Sequence, residues 1–207
     1  MTPPRVIVVR TGTANLASML AGLRRAGADP AVSDDVADVQ TASWLVLPGV
    51  GAFGPAMRRL VEHNLDAALA ERVRAGKPTL AVCLGLQLLA EGSAESPGVA
   101  GLGVLPVHVT RFPDTVRVPQ LGWNEVQAGP TAILQQTGHA YFANSYRLVD
   151  PPAGWTPAFA DYGGRFVAAL ERGALLACQF HPELSGQWGL DLLRRWLDRG
   201  TVESVAC

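Results

Sequence analysis

The sequence predicts an α/β fold with a mixed, mainly parallel central sheet, helices on both of its faces, and a smaller antiparallel sheet. Three observations carry this. Short continuous apolar runs recur through the first half of the chain, as strands covered on both faces require. Each run leads into a helical pattern, and that alternation is the signature of parallel strands joined by right-handed crossovers. The composition agrees: 48% of the 207 residues are hydrophobic and only 17% charged, below the usual quarter.

The elements follow in order. Arg5-Val6-Ile7-Val8-Val9 is the first buried strand. The turn Thr11-Gly12-Thr13-Ala14-Asn15 leads into an amphipathic helix, Leu16–Ala26, with Gly27 as its C-terminal stop. Trp44-Leu45-Val46-Leu47 is a second strand, ended by Pro48-Gly49-Val50-Gly51. Helical patterns fill most of 55–75 and stop at Gly76. Thr79-Leu80-Ala81-Val82 is a third strand, running into a helix over 84–91. From Gly103 the pattern turns strand-rich, with strands over 104–110, 141–148, 156–162 and 166–180. Glu171-Arg172-Gly173 reads as a hairpin turn inside the last of these, and a final helix covers 189–197. There is no internal repeat and no low-complexity linker, so residues 1–207 are expected to form a single domain.

A net charge of −1 leaves no electrostatic footprint for nucleic acid or a membrane surface, and no apolar run is long enough to cross a bilayer. Cys83, Cys178 and Cys207 form no CxxC pair and cannot all be disulfide-bonded, which points to a reducing cytoplasm. No His/Cys cluster has metal-ligand spacing, and no cofactor is expected.

The chemistry concentrates at Ala81-Val82-Cys83-Leu84-Gly85. A nucleophile between a buried strand and a helix, with small residues two before and two after, describes a nucleophile elbow, and the helix N-terminus behind it favours an anion. Alone, Cys83 reads equally well as a buried structural cysteine. In Cys178-Gln179-Phe180-His181-Pro182-Glu183 the apolar strand ends at Phe180 and leaves His181 at its tip. If Pro182 keeps the chain extended, Glu183 lies on the same side as His181 and can accept from one ring nitrogen while the other faces the thiol. A lone His-Pro-Glu is better read as a satisfied surface histidine; coupled to the cysteine elbow it reads as a triad. In Pro48-Gly49-Val50-Gly51-Ala52-Phe53-Gly54 the glycines let backbone amides approach a substrate, as an oxyanion hole requires.

Together these residues resemble the class I (triad) glutamine amidotransferases over essentially the whole chain, which implies that family's flavodoxin-like fold. Within it, Pro48-Gly49-Val50-Gly51, Thr11-Gly12-Thr13-Ala14-Asn15-Leu16, Cys83-Leu84-Gly85-Leu86-Gln87-Leu88-Leu89, Glu95-Ser96-Pro97-Gly98-Val99, Gly122-Trp123-Asn124 and Tyr141-Phe142 resemble the histidine-pathway glutaminases. The Cys/His/Glu set alone fits any triad glutaminase; Pro-Gly-Val-Gly with Gly-Trp-Asn separates this branch.

The resemblance implies that Cys83, His181 and Glu183 are catalytic and that the amides of Val50 and Leu84 stabilise an oxyanion. It also implies that Gly49, Gly51, Gln87, Glu95 and the backbone at Ser145 hold glutamine. Ammonia would pass to a separate (β/α)8-barrel cyclase subunit of imidazole glycerol phosphate synthase, since this chain is too short to contain a barrel of about 250 residues. Gln120, Trp123, Asn124 and Leu184 fall in segments that face that partner in the family. Arg10, Gln120-Leu121 in place of His-Met, Asn144 in place of a frequent histidine, and Leu184 in place of a basic residue depart from the family pattern. The alternatives are a glutaminase serving another ammonia-using synthase, or a non-catalytic interaction module of the same fold. One further expectation concerns regulation: glycine tolerates both orientations of a neighbouring peptide, so the Gly49-Val50 peptide can rest with its carbonyl towards the active site.

The remaining candidates read as structural. His63 ends a polar helix and is solvated, His108 alternates with valines in a strand, and His139 lies near the proposed interface without a catalytic role. Cys178 reads as core and Cys207 as a disordered terminus. Trp44 and Trp196 fit core positions, whereas Trp123 reads as a contact surface in a loop-like stretch.

Overall fold

The computed structural model describes residues 2–12 and 15–205, with side chains through Arg199. Thr13, Ala14 and Cys207, named above, lie outside the described residues. In chain order the strands are β1 (Arg5–Val9), β2 (Asp29–Ser33), β3 (Trp44–Leu47), β4 (Thr79–Val82), β5 (Ala90–Ser93), β6 (Leu105–Arg111), β7 (Gln120–Ala128), β8 (Gly138–Asn144), β9 (Tyr146–Arg147), β10 (Thr156–Asp161), β11 (Arg165–Arg172) and β12 (Leu175–Cys178). The helices are α1 (Leu16–Ala26), α2 (Val36–Thr41), α3 (Phe53–Glu62), α4 (Leu65–Arg74), α5 (Leu84–Leu88) and α6 (Gly186–Val205), with a 3-10 turn at Pro182–Leu184.

A nine-stranded sheet runs β2-β1-β3-β4-β12-β11-β10-β7-β8. Its first five strands pair in parallel, and the last four continue antiparallel from β12. The expected smaller sheet is present as β5-β6-β9, with β6 and β9 antiparallel but β5 and β6 parallel. Alternation along β1 shows why the early strands are apolar throughout. Ile7 and Val9 face a core shared with Phe53, Leu60 and Leu69 of α3 and α4, while Val6 and Val8 face one shared with Leu23 of α1 and Trp196 of α6.

Several boundaries differ from the sequence reading, each for a local reason. The helical pattern of 55–75 is two helices, broken where Asn64 turns left-handed at φ 56°. The helix expected over 84–91 ends at Leu88, because the amides of Gly101 and Gly103 bond Glu91 and Ala90 and draw that stretch into β5. Asp29–Ser33 and Val36–Thr41, unread in the sequence, form β2 and α2. Gly122-Trp123-Asn124 lies inside β7 rather than in a loop, paired to β8 from Gln120↔Asn144 to Val126↔Gly138. The last helix starts three residues earlier than expected, at Gly186, and runs on to Val205. Trp44 and Trp196 are core residues, 9% and 0% exposed. Among the described residues no helix is long and apolar enough to cross a membrane.

Candidate active site

Three consecutive parallel strands deliver the site. In the register of β3, β4 and β12, Leu47 stands opposite Ala81 and Val82 opposite Cys178. The next residues along each strand therefore emerge side by side at the carboxyl edge: Pro48-Gly49 from β3, Cys83 from β4 and Gln179 from β12. That edge is where open α/β sheets place their ligands. The Cys83 amide bonds the Cys178 carbonyl at 2.7 Å, locking the elbow to the strand that leads to His181.

Cys83 adopts φ 55° and ψ −110°, a strained backbone for a residue with a side chain, and α5 begins directly after it. The elbow is possible because its neighbours are small. A Cβ on Gly85 would overlap the carbonyl oxygen of Leu47, and one on Gly49 would sit 2.7 Å from the Leu84 Cβ. Cys83 is 6% exposed and opens into a cleft of about 230 Å³ with Val50, Gly51, Gln87, Glu95, Asn144, Ser145 and His181 on its walls.

His181 Nδ1 lies 2.9 Å from Glu183 Oε1, and both side chains are nearly fully buried. The pairing predicted from the sequence is present, but not through an extended chain. Pro182 opens the 3-10 turn, and it is this turn that swings Glu183 back beneath the imidazole. The turn is held from both sides: the His181 amide bonds the Tyr141 carbonyl at 2.9 Å, and the Ser185 hydroxyl donates to the His181 carbonyl at 2.6 Å. Burial pushes the imidazole pKa down, yet contact with the Cys83 thiol and the Glu183 carboxylate outweighs it and raises the pKa from 6.5 to about 10. Cys178, fully buried near Glu183 and Glu171, is held well above an ordinary thiol instead.

The segment expected to form an oxyanion hole is in a closed arrangement. The Leu84 amide donates to the Gly49 carbonyl at 3.3 Å, so the Gly49-Val50 peptide presents its carbonyl to the elbow. Gln87 is buried, and its amide nitrogen donates to the Tyr146 carbonyl (3.1 Å) and to Gln179 Oε1 (2.9 Å). Glu95 reaches across 42 residues to accept from the Phe53 amide at 2.7 Å, and Ser96 accepts from Gly54 at 3.0 Å. These two side chains cap α3, whose own N-cap residue, Ala52, makes no side-chain cap. Ser145 sits in the break between β8 and β9.

Residues 14–198 match the family described as "Glutamine amidotransferase class-I". The Imidazole glycerol phosphate synthase subunit HisH of Symbiobacterium thermophilum is 44% identical over 197 residues, covering 93% of this chain and 92% of that protein. The chain belongs to the HisH family of class I glutamine amidotransferases. The subunit HisH of Methanothermobacter thermautotrophicus is 40% identical, covering 93% and 98%. A crystal structure titled glutamine amidotransferase superposes with a TM-score of 0.75 over 94% of this chain and 98% of that one. At 20% identity that likeness speaks for the fold alone.

Within this family frame the expected partner-facing residues divide. Leu121 (69% exposed), Trp123 (59%) and Leu184 (38%) are on the surface, with Trp123 edge-on to Tyr141. Gln120 is not: strand alternation turns it away from Leu121, and it is 3% exposed. Asn124 is half-buried and bonded within the chain to the Asp161 carbonyl. His108 is exposed beside Glu91, His139 is exposed, and His63 is half-buried at the end of α3. Sequence reasoning passed over Gln179, which is fully buried and lies 3.6 Å from the Cys83 sulfur. Its polar side chain between Cys178 and Phe180 in an apolar strand was the signal.

Proposed function

We propose that this chain is the glutaminase subunit of imidazole glycerol phosphate synthase, folded as one amidotransferase domain in a reducing cytoplasm. It hydrolyses glutamine to glutamate and ammonia and supplies the ammonia to a cyclase subunit, a (β/α)8 barrel, in histidine biosynthesis. The observation that carries the reading is the meeting of Cys83, the His181–Glu183 pair and the Gly49-Val50-Gly51 segment in one cleft.

Cys83 acts as the nucleophile. Its sulfur bonds to the side-chain amide carbon of glutamine, and the carbonyl electron pair moves to oxygen, which the Leu84 and Val50 amides receive. His181, holding the proton it has taken from the thiol, gives it to the amide nitrogen, and the carbon–nitrogen bond breaks to release ammonia and leave a glutamyl thioester. Neutral His181 then takes a proton from water as the hydroxide adds to the thioester. The carbon–sulfur bond breaks, glutamate leaves, and thiolate and imidazolium are restored. Glu183 accepts from Nδ1 throughout, so that the proton exchanged is the one on the other ring nitrogen. Gln87, Glu95, Gly49, Gly51 and the Ser145 backbone hold the substrate's polar ends, and no cofactor enters any step.

The cyclase docks on the face carrying Leu121, Trp123 and Leu184, with neither nucleic acid nor membrane as a partner. The test is glutamine-dependent formation of imidazole glycerol phosphate by this chain mixed with the cyclase. Activity instead with the synthase of pyridoxal, anthranilate or nucleotide formation would overturn the reading.

A further inference from the structure

A buried carboxamide faces the reacting sulfur, and its orientation is settled by a backbone carbonyl. The Tyr146 carbonyl can only accept, so the group of Gln87 placed 3.1 Å from it is the amide nitrogen. That nitrogen's other hydrogen points to Gln179, 2.9 Å away, where it needs an acceptor, so the oxygen of Gln179 lies there. The nitrogen of Gln179 is then left facing Cys83 Sγ at 3.6 Å. Turning either amide over would set two NH2 groups or two oxygens against each other in a space closed to water, with Gln87 4% and Gln179 0% exposed. On its other side the sulfur faces the Ala143 carbonyl at 4.0 Å, which can accept from a thiol but offers nothing to a thiolate.

We infer that Gln179 is a further catalytic residue, a neutral hydrogen-bond donor that holds and stabilises the Cys83 thiolate, kept in its donating orientation by Gln87. A hydrogen bond to an ionised group is stronger than one to its neutral form, so the donor favours the thiolate over the thiol. The same donor assists when the thioester is hydrolysed, because the sulfur leaves as a thiolate. Gln87 thereby has a second duty besides facing the cleft: its nitrogen is committed to Tyr146 and Gln179. The titratable groups around the sulfur are His181 and, through it, Glu183, with Glu95 and Tyr146 also lining the cleft. None of these is altered by a neutral substitution at Gln179.

The inference rests on Cys83 being the nucleophile, and the experiment separates the two. The full chain is alkylated with iodoacetamide from pH 5 to 10, the modified cysteine is identified by peptide mass, and the rate is plotted against pH. Gln179→Met removes the donor without adding charge. Its midpoint for Cys83 alkylation should lie about one pH unit above that of the unsubstituted chain, a roughly tenfold loss of thiolate on the acid side. The two rates should converge at high pH. If Gln179→Met does not fold, Gln179→Leu serves the same purpose, and Gln87→Met should shift the midpoint in the same direction by freeing Gln179 to turn. Alkylation at Cys83 with an unmoved midpoint in the Gln179 variant overturns the inference. Alkylation at another cysteine overturns the assignment of the nucleophile.

Discussion

The Leu84 amide and the Gly49 carbonyl are hydrogen-bonded to each other at 3.3 Å, so the donor proposed for the oxyanion is already occupied by the chain itself. A substrate oxygen must displace that carbonyl, and the Val50 amide turns inward only when the Gly49-Val50 peptide rotates. Losing one oxyanion donor costs about 10² to 10³ in rate. The chain alone should therefore turn over glutamine at least about a hundredfold more slowly than with the cyclase and its nucleotide ligand. Turnover in the three states, chain alone, with cyclase, and with cyclase plus ligand, checks this; equal rates would mean that the carbonyl is no obstacle.

Cys83, the proposed nucleophile, also carries backbone strain at φ 55°. Cys83→Ala should abolish glutaminase activity and keep partner binding. Cys83→Gly should be equally inactive yet more stable than the alanine variant by about 1 kcal/mol, since glycine accepts a positive φ without penalty. An electrophilic glutamine analogue should label Cys83 and spare Cys178, whose burial keeps it a thiol. Urea unfolding and peptide mapping read both outcomes.

His181→Ala should lose about 10² to 10⁴ of the rate, the usual value of general acid–base help. Glu183→Gln should lose less, because its 2.9 Å contact orients the ring and carries no proton in the reaction. A Glu183 variant slower than the His181 variant would reverse those roles.

The raised imidazole pKa has a consequence for stability, with a definite sign. The folded value, about 10, lies above the unfolded 6.5, so the folded chain holds a proton that the unfolded chain has lost between those limits. The stabilisation is complete below about pH 6.5 and disappears as the pH rises through about 10, with a slope of at most about 1.4 kcal/mol per pH unit. Unfolding midpoints at pH 7, 8 and 9 should fall for the native chain relative to His181→Gln. Parallel curves would show that the ring is not held as an imidazolium.

Gly85→Ala should cost about 1 to 3 kcal/mol, the usual penalty for overpacking. The new methyl meets the Leu47 carbonyl, a backbone atom that cannot rotate aside. Because Leu47 leads into the Gly49 segment, activity should fall as well, which thermal melting and turnover together would report.

What the sequence made legible was whatever depends on one segment. The buried runs of β1, β3 and β4, the αL stop of α1 at Gly27 (φ 100°) and the elbow around Cys83 are local patterns, and all were readable. β2 was not: Asp29-Pro30-Ala31-Val32-Ser33 lacks an apolar run, and it is a strand because β1 offers it a full parallel register. The same holds for β7, where a glycine at position 122 suggests a loop until β8 is there to pair with it. At the site, His181 and Glu183 were found by spacing although the turn that unites them was misread. Gln179 escaped because its place beside Cys83 exists only across the β4–β12 pairing. Gln120 was expected at the partner face because the resemblance places its segment there, and a segment alone does not say which residues of β7 point outward.

The position of β12 sets an order on the birth of activity. It is the last strand in sequence, yet it lies between β4 and β11, so the parallel and antiparallel halves of the main sheet meet only through it. Until residues 175–178 have been made and inserted there, the proposed nucleophile at position 83 has neither His181 nor the Gln179 carboxamide beside it. Such a late, non-local pairing is slow to form. A chain lacking this strand should therefore be chemically silent, so that ammonia release waits for the finished sheet.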